Sequence, residues 1–171
     1  VGQGSIELQQ MSMRAFTMTV YNSQKGVQAS NVTLRVDEKE VMLSLQVENS
    51  PPRILQYSDS EPAILRQCEG PVPSTYWLSL SDEHQCIKYG VGEVRELLKI
   101  LEFEYTRDSD VDRDIADLVD NADRVELRLD DEHDESGQSV RAQTVWRVHR
   151  DGVVSEPPLK IVGEDQLTMD D

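Results

Sequence analysis

Residues 32–47, VTLRVDEKEVMLSLQV, alternate apolar and polar side chains on both sides of a charged break. Val32, Leu34 and Val36 fall on one face of the first run, and Val41, Leu43, Leu45 and Val47 on one face of the second. A period of two sends every second side chain to the same side of a strand. Asp37 to Glu40, between the runs, are all charged. The pattern therefore predicts a β-hairpin with one buried face.

The same signature recurs on either side. Arg14 to Tyr21 is rich in β-branched and aromatic residues, and Arg53 to Tyr57 and Ala63 to Gln67 are short runs opened by Pro51-Pro52 and Glu61-Pro62. Thr75 to Leu80 and Gln85 to Tyr89 flank the polar tetrad Ser81-Asp82-Glu83-His84, a second predicted hairpin. In residues 93–105 Val94, Leu97, Leu98 and Leu101 suit a helical face, while Leu101, Phe103 and Tyr105 alternate as a strand. The second half is read as strand and the first is left open. Asp112 to Ala122 is the one helix, with Ile115, Leu118, Val119 and Ala122 on one stripe and acids in its first turn. Strands follow at Arg124 to Leu129 and Gln143 to His149, around the acidic loop 130–139, and a last apolar run spans Leu159 to Val162.

About nine strands at roughly ten-residue spacing with one short helix predict a mainly β protein, an antiparallel β-sandwich of jelly-roll type. A parallel sheet would need many more helical crossovers. At 171 residues the chain suits one domain, expected over 1–162, with residues 163–171 as an acidic tail or linker. The lack of an initial Met suggests a piece of a longer protein.

Thirty-three acids against 17 bases give a formal net charge of -16, which opposes nucleic acid and anionic membranes, where Lys and Arg must meet phosphates. No stretch has the length and apolarity of a membrane span, so membrane insertion is not expected, and the first residues lack the regions of a signal peptide. Cys68 and Cys86 fit either a disulfide or two half-buried thiols. Asn31-Val-Thr33 matches a glycosylation triplet that matters only in a secretory setting.

Chemical constellations are sparse. Asp108, Asp110, Asp112 and Asp114 have the spacing of a calcium loop, but Arg113 stands where the sharp turn needs Gly and Val119 where a bidentate Glu belongs. An acidic helix start is favoured, with a calcium site on Asp108, Asp110 and Asp112 as the alternative and no other cofactor. Cys86 has His84 two residues away but no basic cluster or helix end to lower its pKa. His84, His133 and His149 lack zinc spacing. Gly90-Val-Gly92 is not a dinucleotide site; glycine there permits positive φ, a bulge or close approach. Tyr76, Trp77, Tyr89 and Trp146 suit either a core or the stacking of sugar rings.

The order of Ala-Ile-Leu-Arg at 63–66, Tyr-Trp-Leu-Ser-Leu at 76–80 and Ile-Lys-Tyr-Gly-Val-Gly-Glu at 87–93 resembles the farnesoic acid O-methyltransferase-like domain. That domain reads as a small-residue-Ile-Arg stretch, a Phe-Trp-Ile-Ser-Trp strand and a glycine-rich strand. Leu80 replaces the second Trp and Tyr89 a Val. The family's Trp-Thr-Asp-Pro run is missing, and residues 108–123 would be an insertion. The resemblance implies a β-sandwich interaction module that binds carbohydrate, not a methyltransferase.

Together these readings predict a non-catalytic module of a larger protein whose partner is carbohydrate, with Arg66, Trp77, Lys88, Tyr89 and Glu93 as ligand contacts. A structural or assembly domain contacting another protein domain is the alternative. An enzyme using Asp110 or Glu93 ranks last. An extracellular or cell-surface setting is favoured over a cytoplasmic one. Alternation also places Tyr76, Leu78 and Leu80 on one face and Trp77, Ser79 and Ser81 on the other, making the second face the place to look for a sugar.

Overall fold

A computed structural model of the chain describes residues 3–10, 15–37, 39–59, 74–129, 145–150, 153–154 and 160–163. The first sheet contains β1 (Gln3–Gln10), β6 (Ser74–Ser81), β7 (Cys86–Val91), β8 (Lys99–Glu104), β10 (Val145–Arg150) and β11 (Val153–Val154). Its strand order is β11-β10-β1-β6-β7-β8. The second contains β2 (Phe16–Tyr21), β3 (Ser30–Val36), β4 (Val41–Val47), β5 (Arg53–Ser58), β9 (Arg124–Leu129) and β12 (Lys160–Gly163), ordered β12-β9-β2-β3-β4-β5. One helix, α1 (Arg113–Asn121), lies between β8 and β9 in sequence. The protein is a β-sandwich, with two six-stranded sheets among the described residues.

The predicted hairpin is β3 with β4, paired so that Val32 faces Leu45, Leu34 faces Leu43 and Val36 faces Val41. Those six side chains are buried, as strict alternation demands. Opposite them the first sheet contributes Ile6 and Leu8 from β1, Tyr76, Leu78 and Leu80 from β6, and Ile87 and Tyr89 from β7. The Phe16 and Tyr76 rings meet at 5.2 Å between centroids, tilted by 56°, where the sheets face each other.

Helix α1 buries the predicted stripe, Ile115, Leu118 and Val119, with Ala122 just beyond its end. Asp112 stands at its N-cap but its carboxylate does not cap the helix. It accepts instead the Thr106 backbone N–H at 3.0 Å and faces the Arg53 guanidinium at 3.4 Å. That guanidinium also lies over the Phe103 ring, so Arg53 on β5 reaches β8 across one open side of the sandwich.

Three features depart from the sequence reading. Strand β1 was not foreseen, although it forms the middle of the first sheet between β10 and β6. The pairing is antiparallel except for β12 with β9, which is parallel. The β6–β7 turn occupies residues 82–85, one position later than the predicted tetrad, with Gln85 at φ 51°. The expected strand at 63–67, the acidic loop at 130–139 and the tail at 163–171 fall wholly or almost wholly outside the described residues. No helix among those described is long and apolar enough to cross a membrane.

Candidate ligand face on the first sheet

The side of the first sheet turned away from the core carries Ser5 and Glu7 on β1, Trp77, Ser79 and Ser81 on β6, and Cys86, Lys88 and Gly90 on β7. Register fixes their neighbours: Glu7 faces Trp77, Trp77 faces Gly90, Ser79 faces Lys88, and Lys88 faces Glu102 of β8. The predicted division of β6 into an apolar face and a polar face with one Trp is therefore the one observed. Ser5, Glu7 and Ser81 are buried on this outer face, an unusual setting for a carboxylate.

Trp77 does not lie open as expected; it is only 2% exposed. Its indole rests on Gly90, where an added Cβ would overlap the ring and come within 2.6 Å of the Leu98 carbonyl oxygen. The glycine is needed for this close approach rather than for a positive φ. Gly92 supplies the positive φ, 95°, and donates its backbone N–H to the Thr75 carbonyl at 2.8 Å. From there the chain runs through a 3-10 turn, Glu96–Leu98, into β8. Residues 92–98 thus form a strap whose far end, the Leu98 carbonyl oxygen, stands beside Gly90 and the indole. Buried with it, the indole Nε1–H has no hydrogen-bond partner.

The strap is held by charge. Lys88 Nζ donates to Glu96 Oε2 at 2.6 Å, and Lys99 Nζ donates to Glu96 Oε1 at 2.7 Å. Lys99 also donates to Glu102, whose other oxygen lies 3.9 Å from Lys88. The two ammonium groups hold the Glu96 carboxyl down at about 2, Lys88 first and Lys99 second. The same contacts raise both lysines. The Lys88 side chain is 19% exposed against 62% for Glu96, so the lysine belongs to the sheet surface and the glutamate reaches it from outside.

The remaining sequence-predicted contacts are placed differently. Tyr89 points to the opposite side, into the core between Leu78 and Leu101, and is 1% exposed. Burial raises its phenol, and its hydroxyl lacks a partner. It shares the parity of Ile87, which puts it out of reach of any ligand on the outer face. Glu93 is exposed and pairs with Arg95, not with Lys88. Arg66 and Cys68 lie outside the described residues.

Cys86 is a free, buried thiol whose pKa is raised, chiefly by burial, which keeps it protonated rather than nucleophilic. His84 sits exposed in the turn. Asp110 pairs with Arg113 at 2.5 Å and Asp112 with Arg53 and Thr106, so the carboxylates of Asp108, Asp110 and Asp112 are not drawn together. No group of three metal-ligating side chains converges among the described residues. The sequence reading named Lys88 but missed Glu96, Lys99 and Glu102; their i, i+3 spacing was the available signal.

No family model matches the chain, and no curated protein does. Among solved structures, sheep galectin-11 in complex with glycerol aligns over 87% of this chain and 90% of its own, at 10% identity and a TM-score of 0.48. The CBM40 of the Ruminococcus gnavus IT-sialidase bound to α2,3-sialyllactose aligns over 73% of this chain and 62% of its own, at 20% identity and a TM-score of 0.40. Its complex with α2,6-sialyllactose aligns over 69% and 60%, at 18% identity and a TM-score of 0.39. The chain spans less than two thirds of the two CBM40 structures.

Proposed function

We propose that this chain is a non-catalytic module that binds carbohydrate on the outer face of its first sheet, as part of a larger protein. The observation that carries the reading is Trp77. A tryptophan stands among serines, a lysine and carboxylates on the face turned away from the core, and its indole N–H is buried without a partner. An orphaned buried donor costs about 1–3 kcal/mol unless something satisfies it. Sugars present the matching chemistry, hydroxyls for Ser79, Lys88 and Glu102 and, once residues 92–98 move aside, an apolar ring face for the indole.

The raised Cys86 thiol, the exposed His84 and the ion-paired carboxylates favour binding over catalysis. The motif resemblance of residues 63–93 to the farnesoic acid O-methyltransferase-like domain supports the same reading. A panel of immobilised glycans probed with the isolated chain tests it. Binding that is lost in Ser79→Trp, which fills the face, supports the proposal. Absence of binding to every glycan refutes it.

A second reading has its own observation. Leu97 is 94% exposed and Leu98 40% exposed beside β8, the edge strand of the first sheet. Ile54 and Tyr57 are exposed on β5, the edge strand of the second. An assembly domain would bury these apolar side chains against another protein domain. A defined oligomer by light scattering, abolished in Leu97→Asp, would favour that reading instead.

A further inference from the structure

Glu96 occupies the outer face in the manner of a ligand. Its carboxylate accepts one hydrogen bond from each of two lysines that belong to different strands of the sheet, while its own side chain stays 62% exposed. Lys88, Lys99, Glu96 and Glu102 sum to zero charge, two positive and two negative. With Glu96 turned away the group carries one net positive charge, in a chain whose overall charge is -16. A free positive site on so acidic a protein would call for an anion.

The second observation is independent of the charges. The Trp77 indole N–H is buried and unpartnered, and its ring lies at Gly90 beside the Leu98 carbonyl oxygen of the strap that carries Glu96. Lys88 is the diagonal neighbour of Trp77 on the sheet, since Lys88 faces Ser79 and Trp77 faces Gly90. Diagonal pairs of this kind are within reach of one small ligand.

From this we infer that Lys88 and Lys99 form a carboxylate subsite that Glu96 fills in the free protein, and that the ligand is an acidic sugar whose carboxylate replaces Glu96. The exchange conserves charge and trades two charge-assisted hydrogen bonds for two others. As Glu96 leaves, residues 92–98 lift from the indole, and the sugar ring takes the uncovered place beside Trp77. The inference rests on the carbohydrate reading and adds to it the ligand class and the competing group within the chain.

The test compares methyl β-glucuronide, the uncharged methyl β-glucoside and acetate by NMR titration of the isotope-labelled chain. The signals followed are the Trp77 indole N–H and the Gly90, Gly92 and Leu98 amides. The glucuronide is expected to shift all four. Glu96→Gln removes the competitor and should tighten glucuronide binding about tenfold, the worth of one charge-assisted contact. Lys88→Gln and Lys99→Gln should each weaken it by about the same factor. Backbone spectra matching wild type establish that each variant is folded.

Equal binding of glucuronide and glucoside, unmoved by Glu96→Gln, would overturn the carboxylate subsite and leave the carbohydrate reading standing. Binding of neither sugar, even to Glu96→Gln, would overturn the carboxylate subsite, while the carbohydrate reading falls only if the immobilised glycans also show no binding. Acetate shifting the signals as strongly as glucuronide would overturn the sugar ligand in favour of a bare anion site.

Discussion

Replacing Gly90 by Ala places one methyl group where the strap and the indole meet. The new Cβ would overlap the Trp77 ring and stand 2.6 Å from the Leu98 carbonyl oxygen. Neither neighbour yields easily, because the ring is buried across the β6–β7 ladder and the oxygen is backbone. If the site absorbs the clash, overpacking costs about 1–3 kcal/mol. If the strap lifts instead, exposing on the order of 100 Å² of indole costs about 2.5 kcal/mol at about 25 cal/mol/Å². Either route leads to a loss of about 1–3 kcal/mol, which lowers Tm by roughly 2–12 °C in a chain of this size.

Urea unfolding followed by tryptophan fluorescence measures this loss, and a red-shifted native emission would report the strap lifting. Gly26→Ala is the control. Gly26 has φ 81° and nothing within 4 Å of an added Cβ. It should lose about 1–2 kcal/mol from the left-handed backbone alone, with unchanged emission. A Gly90→Ala variant within about 0.5 kcal/mol of wild type, the range of a neutral surface change, with unchanged emission would refute the packing of the strap on Trp77.

Three further outcomes follow from the same geometry. Glu96 has its carboxyl lowered to about 2 by Lys88 and Lys99; a lowered acid stabilises above its unfolded pKa, about 4.3, and that contribution is lost as pH falls towards 2. The Gly92 and Leu98 amide shifts should titrate with a midpoint near 2, and a midpoint near 4 would contradict the pairing of Glu96 with Lys88 and Lys99. Tyr105, which donates to the Ser81 carbonyl at 3.2 Å, has its phenol pushed up to about 12, chiefly by burial. A raised phenol stabilises below its unfolded pKa, about 10, and that stability is lost as pH rises from there to 12. Tyr105→Phe should cost about 1 kcal/mol at neutral pH and remove this alkaline component in urea unfolding. Trp77→Phe deletes the orphaned N–H, so stability by urea unfolding should change by less than about 1.5 kcal/mol while glycan binding falls.

Much of this architecture was legible in the sequence, and the rest was hidden for physical reasons. In β3, β4 and β6 the alternation spans five or more residues, long enough to fix both strand and face. In β1 only Ile6 and Leu8 alternate, among Gly and Gln, and the strand is set by pairing with β6 and β10, far away in the chain. Alternation places Trp77 with Ser79 and Ser81 on the polar face of β6, where the fold has it, whereas Lys88 was named as a ligand contact without a face. Their cover was not visible, because it depends on the chain reversing at Gly92 and returning over Gly90. Tyr89 could have been assigned inward from the parity of Ile87; its aromatic ring drew attention that its position on the strand does not support. Glu96 and Lys99 fell in a stretch whose apolar residues suit helix and strand equally, so their shared partnership with Lys88 emerged only with the fold.

The most direct measurement of the central claim is an NMR titration of the labelled chain with a panel of neutral and acidic methyl glycosides. At least one sugar is expected to shift the Trp77 indole N–H and the amides of Ser79, Lys88 and Gly90. Shifts confined to the outer face of the second sheet, at Thr19, Thr33 or Ser44, or no shifts with any sugar, would contradict that claim.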